Sequence, residues 1–139
     1  MKTKLALLIG ATCLVLSAAA YAHHPFSAEY DWTKPVTLTG TVTKLEWTNP
    51  HAVLHIDAKD QSGQMKQWVL EMGSPSALTR AGWTRTLVKE GDQITVDAWL
   101  SRTDATKANL KSVKLKDGRE YSGGSSILDM RQKTKPVSD

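Results

Sequence analysis

Apolar and polar residues alternate one for one through several stretches of this chain, the period that a half-buried β-strand imposes. Val36, Leu38, Gly40 and Val42 share one face, Thr37, Thr39, Thr41 and Thr43 take the other, and the run reaches Trp47. A glycine inside such a strand marks a bend or bulge in a strongly coiled sheet. Thr48-Asn49-Pro50 breaks the run, because proline removes a ladder donor and asparagine favours turns. In a second strand Ala52, Leu54, Ile56 and Ala58 share a face opposite His51, Val53, His55 and Asp57. A turn at Asp60–Gln64 then joins it to a third strand, Met65–Met72, as a hairpin.

Ser74-Pro75 opens a short helix, serine as N-cap and proline in the first turn, and Gly82 stands just past its end. Residues 83–90 carry no clear period, and Gly91-Asp92 is a turn. The fourth strand, Gln93–Ser101, sets Ile94, Val96, Ala98 and Leu100 against Trp99. A loop at Arg102–Lys107 leads to the fifth strand, Ala108–Leu115, which closes at Asp117-Gly118. Three strands, a helix and two more strands are the element order of an OB-like fold. The expected fold is therefore mainly β, a five-stranded OB-like Greek-key barrel with one short helix between strands 3 and 4. An immunoglobulin-like sandwich is the competing architecture, but it wants about seven strands and no helix.

The barrel is expected over residues 36–122, and what flanks it decides the compartment. Residues 1–22 read as a cleavable signal peptide: Lys2 and Lys4, an apolar run Leu5–Ala20, and a small-x-small end at Ala20-Tyr21-Ala22. The apolar run is about 16 residues and ends in a cleavage signature, which argues against a stable membrane span. Removing it leaves 117 residues, one domain's worth, and sixteen basic against fourteen acidic residues. That near balance excludes a nucleic-acid footprint. The single cysteine, Cys13, lies within the signal, so a mature chain has no thiol nucleophile, disulfide or thiolate metal site. A periplasmic protein is expected, with an extended arm at residues 23–35 and a flexible tail at 123–139.

All four histidines fall in two short stretches. Cleavage after Ala22 makes His23 the first residue, its α-amine beside its own imidazole and that of His24, a nitrogen donor set that suits Cu(II). Cleavage after Ala20 puts His23 third instead, where amine, two deprotonated amides and imidazole wrap Cu(II) in a square plane. His51 and His55 are roughly 13 Å apart along one strand face, too far to share an ion. A folded-back arm pairs His23 or His24 with His51. The candidate metal ligands are thus His23, His24 and His51, with copper as the expected ion. The competing reading makes the arm histidines exposed tail residues and His51 a turn cap.

Five tryptophans against one phenylalanine are the second oddity. Trp47 and Trp83 are the candidate ligand-binding rings, for a small molecule or an envelope protein, unless they fill the core. Phases differ enough that at least one ring is expected outside. Export removes the usual nucleic-acid partners that stacked rings serve. Lys111 and Lys114 have opposite parity on the fifth strand and so make no single basic stripe. No phosphate loop, nucleophile elbow or paired-histidine zinc helix occurs, and no enzyme activity is expected.

His23-His24-Pro25-Phe26-Ser27-Ala28-Glu29-Tyr30-Asp31, Lys34-Pro35, Leu38-Thr39-Gly40-Thr41-Val42, Trp47-Thr48-Asn49-Pro50-His51, Ser74-Pro75 and Leu78-Thr79-Arg80-Ala81-Gly82-Trp83 together resemble an uncharacterised family of exported bacterial proteins, a domain of unknown function. The likeness spans about residues 23–121 and implies no activity. The glycine-bearing first strand and Gly91-Asp92-x-Ile94-x-Val96 also resemble OB-fold periplasmic proteins of envelope stress and ligand binding. Mass spectrometry of the exported protein is expected to find His23 at the N-terminus; a chain still carrying residues 1–22 overturns the signal reading.

Overall fold

The computed structural model describes residues 26–124. A single helical turn, α1 (Phe26–Glu29), runs straight into β1 (Tyr30–Glu46). The hairpin β2 (Val53–Lys59) and β3 (Met65–Glu71) follows, then the helix α2 (Pro75–Arg80), β4 (Gln93–Ser101), β5 (Lys107–Leu115) and a short β6 (Glu120–Ser122). The strands order β3-β2-β1-β4-β5-β6 with antiparallel neighbours. A parallel pairing of Val69–Glu71 with Lys107–Asn109 joins β3 to β5 and turns the sheet into a ring of strands. The inward faces meet in one core that includes Leu38, Val42, Leu54, Ile56, Trp68, Leu70, Val96, Leu110 and Val113. Burying such side chains contributes about 1.5–3 kcal/mol each.

The turn chemistry of α2 forms as expected. Ser74 Oγ accepts from the Ala77 amide at 3.2 Å, Pro75 sits in the first turn, and Gly82 takes φ +91° just past the C-cap. Leu78 on the helix's inner face is fully buried.

Three boundaries differ from the expectation. Among the described residues the strands number six, because Glu120–Ser122 pairs with Ser112–Lys114 after the Asp117-Gly118 turn. Residues 26–35 are not an irregular arm: α1 and the first part of β1 occupy them, with Tyr30 opposite Ser101. The ladder to β4 is irregular between Tyr30 and Pro35, which erases the alternation that would announce the strand. Residue 123, expected to open the flexible tail, belongs to the folded structure. Gly123 is buried, donates to the Lys111 carbonyl at 2.7 Å and accepts from the Gly73 amide at 2.8 Å. A Cβ on Gly123 would run into the Leu110 carbonyl, and one on Gly73 into that of Gly124, so two bare backbones lie against each other. Residues 1–22, expected to be a signal peptide, His23, His24 and residues 125–139 lie outside the described residues.

Two bulges explain the phase changes along the strands. On β5, Asp97 faces Ser112 but Ala98 faces Leu110, leaving Lys111 as the extra residue. Leu110 and Val113, three apart, therefore both point inward, and Lys111 and Lys114 are both exposed despite opposite parity. On β1 the extra residue is Thr43, between the Val42–Ile56 and Lys44–His55 pairs. Just before it, Gly40 pairs with Ala58 on one side and Ile94 on the other, where β1 passes from β4 to β2. A Cβ there would overlap the Asp57 carbonyl and stand 2.8 Å from Ala58 Cβ. The strand glycine thus serves close approach, and the bulge follows three residues later. Gly40→Ala is expected to cost about 2 kcal/mol, lowering the thermal midpoint followed by circular dichroism by roughly 10 °C.

Candidate functional site

The ring's parallel seam gathers polar residues from four stretches of the sequence. Glu71 ends β3 and stands opposite Asn109, and Lys107 begins β5 beside them. The β2–β3 hairpin sets Val53 against Glu71, so His51, two residues before Val53, falls next to the same carboxylate. The pairing of Tyr30 with Ser101 carries Glu29, Tyr30 and Asp31 to the same end of the ring.

Glu71 is the junction. One carboxylate oxygen lies 2.8 Å from His51 Nδ1. The other accepts from the Tyr30 hydroxyl at 2.6 Å and has Lys107 Nζ at 3.9 Å. Lys107 also pairs with the Glu29 carboxylate and lies 5.7 Å from the centre of the Tyr30 ring. Burial, then the hydrogen bond to Glu71, pushes the Tyr30 phenol far above its ordinary pKa, so it stays a neutral donor. His51 and Glu71 are in ion-pair contact, without the alignment of a hydrogen bond. His51 keeps 54 % of its side-chain surface exposed and Glu71 19 %. A carboxylate beside the ring of a half-exposed histidine is the kind of neighbour that supports imidazole as a metal ligand.

Beside this network Asp31 is buried and accepts from the Thr33 hydroxyl at 2.7 Å and the Thr33 amide at 3.0 Å, with Arg102 Nη1 at 3.1 Å. These contacts, the Thr33 hydroxyl foremost, hold its carboxyl below the usual range. The Arg102 amide donates to the Glu29 carbonyl at 2.9 Å. Tyr30, Trp99 and Asn109 are buried yet stand outside the main core, and Asn109 Oδ1 has no hydrogen-bond partner among the described residues.

A family model, that of the family of unknown function DUF6152, matches residues 12–110. The chain belongs to that family. The same comparisons match it to no curated protein and to no solved structure. The DUF6152 match takes in every residue of the Glu71 network and ends within β5.

The candidate residues fare differently in this DUF6152 chain. His51 lies in the network; His23 and His24 precede the described residues. His55 turns to Glu46, Nε2 to Oε1 at 2.9 Å, and shares no carboxylate with His51. Among the described residues no group of three or more His, Cys, Asp or Glu could hold a metal ion, so His51 needs donors from outside them. Trp83 is 1 % exposed, its indole N–H given to the Ser122 carbonyl at 2.7 Å and its ring edge-on to Tyr121. That ring is committed to the core. Trp47 is half-buried against it, and Trp32 is the exposed ring at 62 %. Sequence reasoning missed Glu71, Tyr30, Lys107 and Glu29 as one site. The hairpin register was the available signal, since a turn at Asp60–Gln64 already sets Glu71 beside His51.

The depressed Asp31 carboxyl adds stability above its unfolded pKa and loses it as pH falls through the folded value. The stability gap between the wild type and Asp31→Asn is expected to be level at neutral pH. In urea titrations it should narrow only below about pH 4.

Proposed function

We propose that this chain is an exported, periplasmic, non-catalytic binding module. Its ring of strands is an OB-like Greek-key barrel that holds Cu(II) between the mature N-terminal arm and His51. The strand order, the helix between β3 and β4 and the closing β3–β5 pairing support the barrel reading. The metal reading is carried by one observation: Glu71 lies 2.8 Å from the half-exposed His51 and, through Tyr30 and Lys107, anchors the segment just downstream of His23 and His24. His24 is five residues from Glu29, at most about 17 Å of extended chain, which keeps the arm within reach of the exposed ring. A donor set of amine and imidazole nitrogens without thiolate suits Cu(II) over Cu(I).

Ligand binding through tryptophan is the second reading. It draws on Trp47, half-buried near His51 in sequence, and gains little from Trp83, whose ring is enclosed.

Copper titration of the mature, tag-free protein tests the metal reading. His51→Ala is expected to weaken Cu(II) binding at least tenfold, and Glu71→Ala by roughly 10- to 100-fold through the loosened ring. One extra residue ahead of His23 should weaken it as well. Equal, weak binding by all four proteins would sink the proposal.

A further inference from the structure

We propose that Met65 is a reversible oxidation site: a peroxide turns its thioether into the sulfoxide without disturbing the fold, and a dithiol reductant restores it. The inference is independent of the metal-binding reading. It rests on two thioethers of one segment, Met65 at the start of β3 and Met72 just past its end. Met65 is 60 % exposed and, with Trp32, is one of two large hydrophobic side chains in water among the described residues. Met72 is 1 % exposed and belongs to the core. Met1 and Met130 lie outside the described residues. The chemistry asks only for an open sulfur. A sulfur lone pair attacks one oxygen of hydrogen peroxide, and the S–O bond forms as the O–O bond breaks. The departing hydroxide takes the proton of the S–OH group and leaves as water, so sulfur loses two electrons and the peroxide gains them. Two thiols reverse the sum, giving back the thioether with a disulfide and water. The chain's one cysteine, Cys13, makes no dithiol by itself, so the reductant comes from outside the chain.

The fold makes this oxidation harmless at one residue and costly at the other. Met65 pairs with Lys59 in the last rung of the β2–β3 hairpin, so the two side chains share a face. The new S=O is a strong acceptor, and the exposed Lys59 supplies an ammonium across from it. The adjoining turn is held by Asp60, whose Oδ1 accepts from the Ser62 and Gln64 amides at 2.8 and 3.0 Å. Neither bond uses the thioether, so oxidising Met65 leaves the hairpin intact. At Met72 the same oxygen would put a dipole without a partner into the apolar core. Its sulfur meets peroxide only when the structure opens.

Hydrogen peroxide added to the folded, mature, tag-free protein, stripped of metal with a chelator, tests this. Trypsin cutting after Lys59, Lys66 and Arg80 puts the two residues on separate peptides, 60–66 and 67–80. Mass spectrometry, with fragmentation to locate the added oxygen, is expected to show Met65 oxidised at least about tenfold faster than Met72. In urea, where both sulfurs meet solvent, the two rates should converge. Circular dichroism of the Met65 sulfoxide form is expected to show the thermal midpoint of the untreated protein. A methionine sulfoxide reductase with dithiothreitol should then return peptide 60–66 to its original mass. Equal rates in the folded protein, a rate gap that survives urea, a lowered midpoint or a sulfoxide the reductase cannot reach would each overturn the proposal.

Discussion

Three residues of parallel pairing hold the functional end of this molecule together. Val69–Glu71 against Lys107–Asn109 is the only place where β3 and β5 meet in register, and without it the sheet would be open, with its two ends apart. The seam joins segments nearly forty residues apart in sequence, so its closure costs chain entropy that the long antiparallel ladders must supply first. Everything polar at the site follows from it. Glu71 sits at the last position of the seam, and only because the ring closes there do Lys107 and the start of β1 come within reach of the carboxylate that His51 already touches.

The parts of this architecture that depend on local chemistry could be read from the sequence. β2, β3, β4 and most of β5 follow directly from alternation, and α2 from its serine cap and proline. Those signals involve neighbours in the chain, where side-chain period and turn residues act without help from the rest of the molecule. The foot of β1 was not legible, because Tyr30–Pro35 pairs irregularly with β4 and buries Tyr30 and Asp31 consecutively. β6 was not legible either. Three residues have too little period to stand out, and the strand exists because β5 offers an edge.

The site divides along the same line. His51 drew attention for what it is chemically, whereas Glu71 is one acidic residue among fourteen until the hairpin register puts it beside that ring. Trp83 shows the reverse. The excess of tryptophan suggested a ligand surface, yet a small ring of strands beside a six-residue helix needs a large plug, and an indole whose N–H finds a backbone carbonyl fills that need. Trp83 keeps a partner for a polar atom taken from water, whereas Trp68 Nε1 and Asn109 Oδ1, also buried, find none among the described residues.

The bare backbones that touch at Gly73 and Gly123 also say where this polypeptide can be altered by engineering. Side-chain-free contact leaves no slack, so neither glycine tolerates enlargement. A truncation that removes Ser122 takes away the carbonyl that Trp83 relies on, and with it the last backbone bonds that fasten Gly73 beside the helix. The folded unit therefore needs Gly123, one residue beyond its last strand.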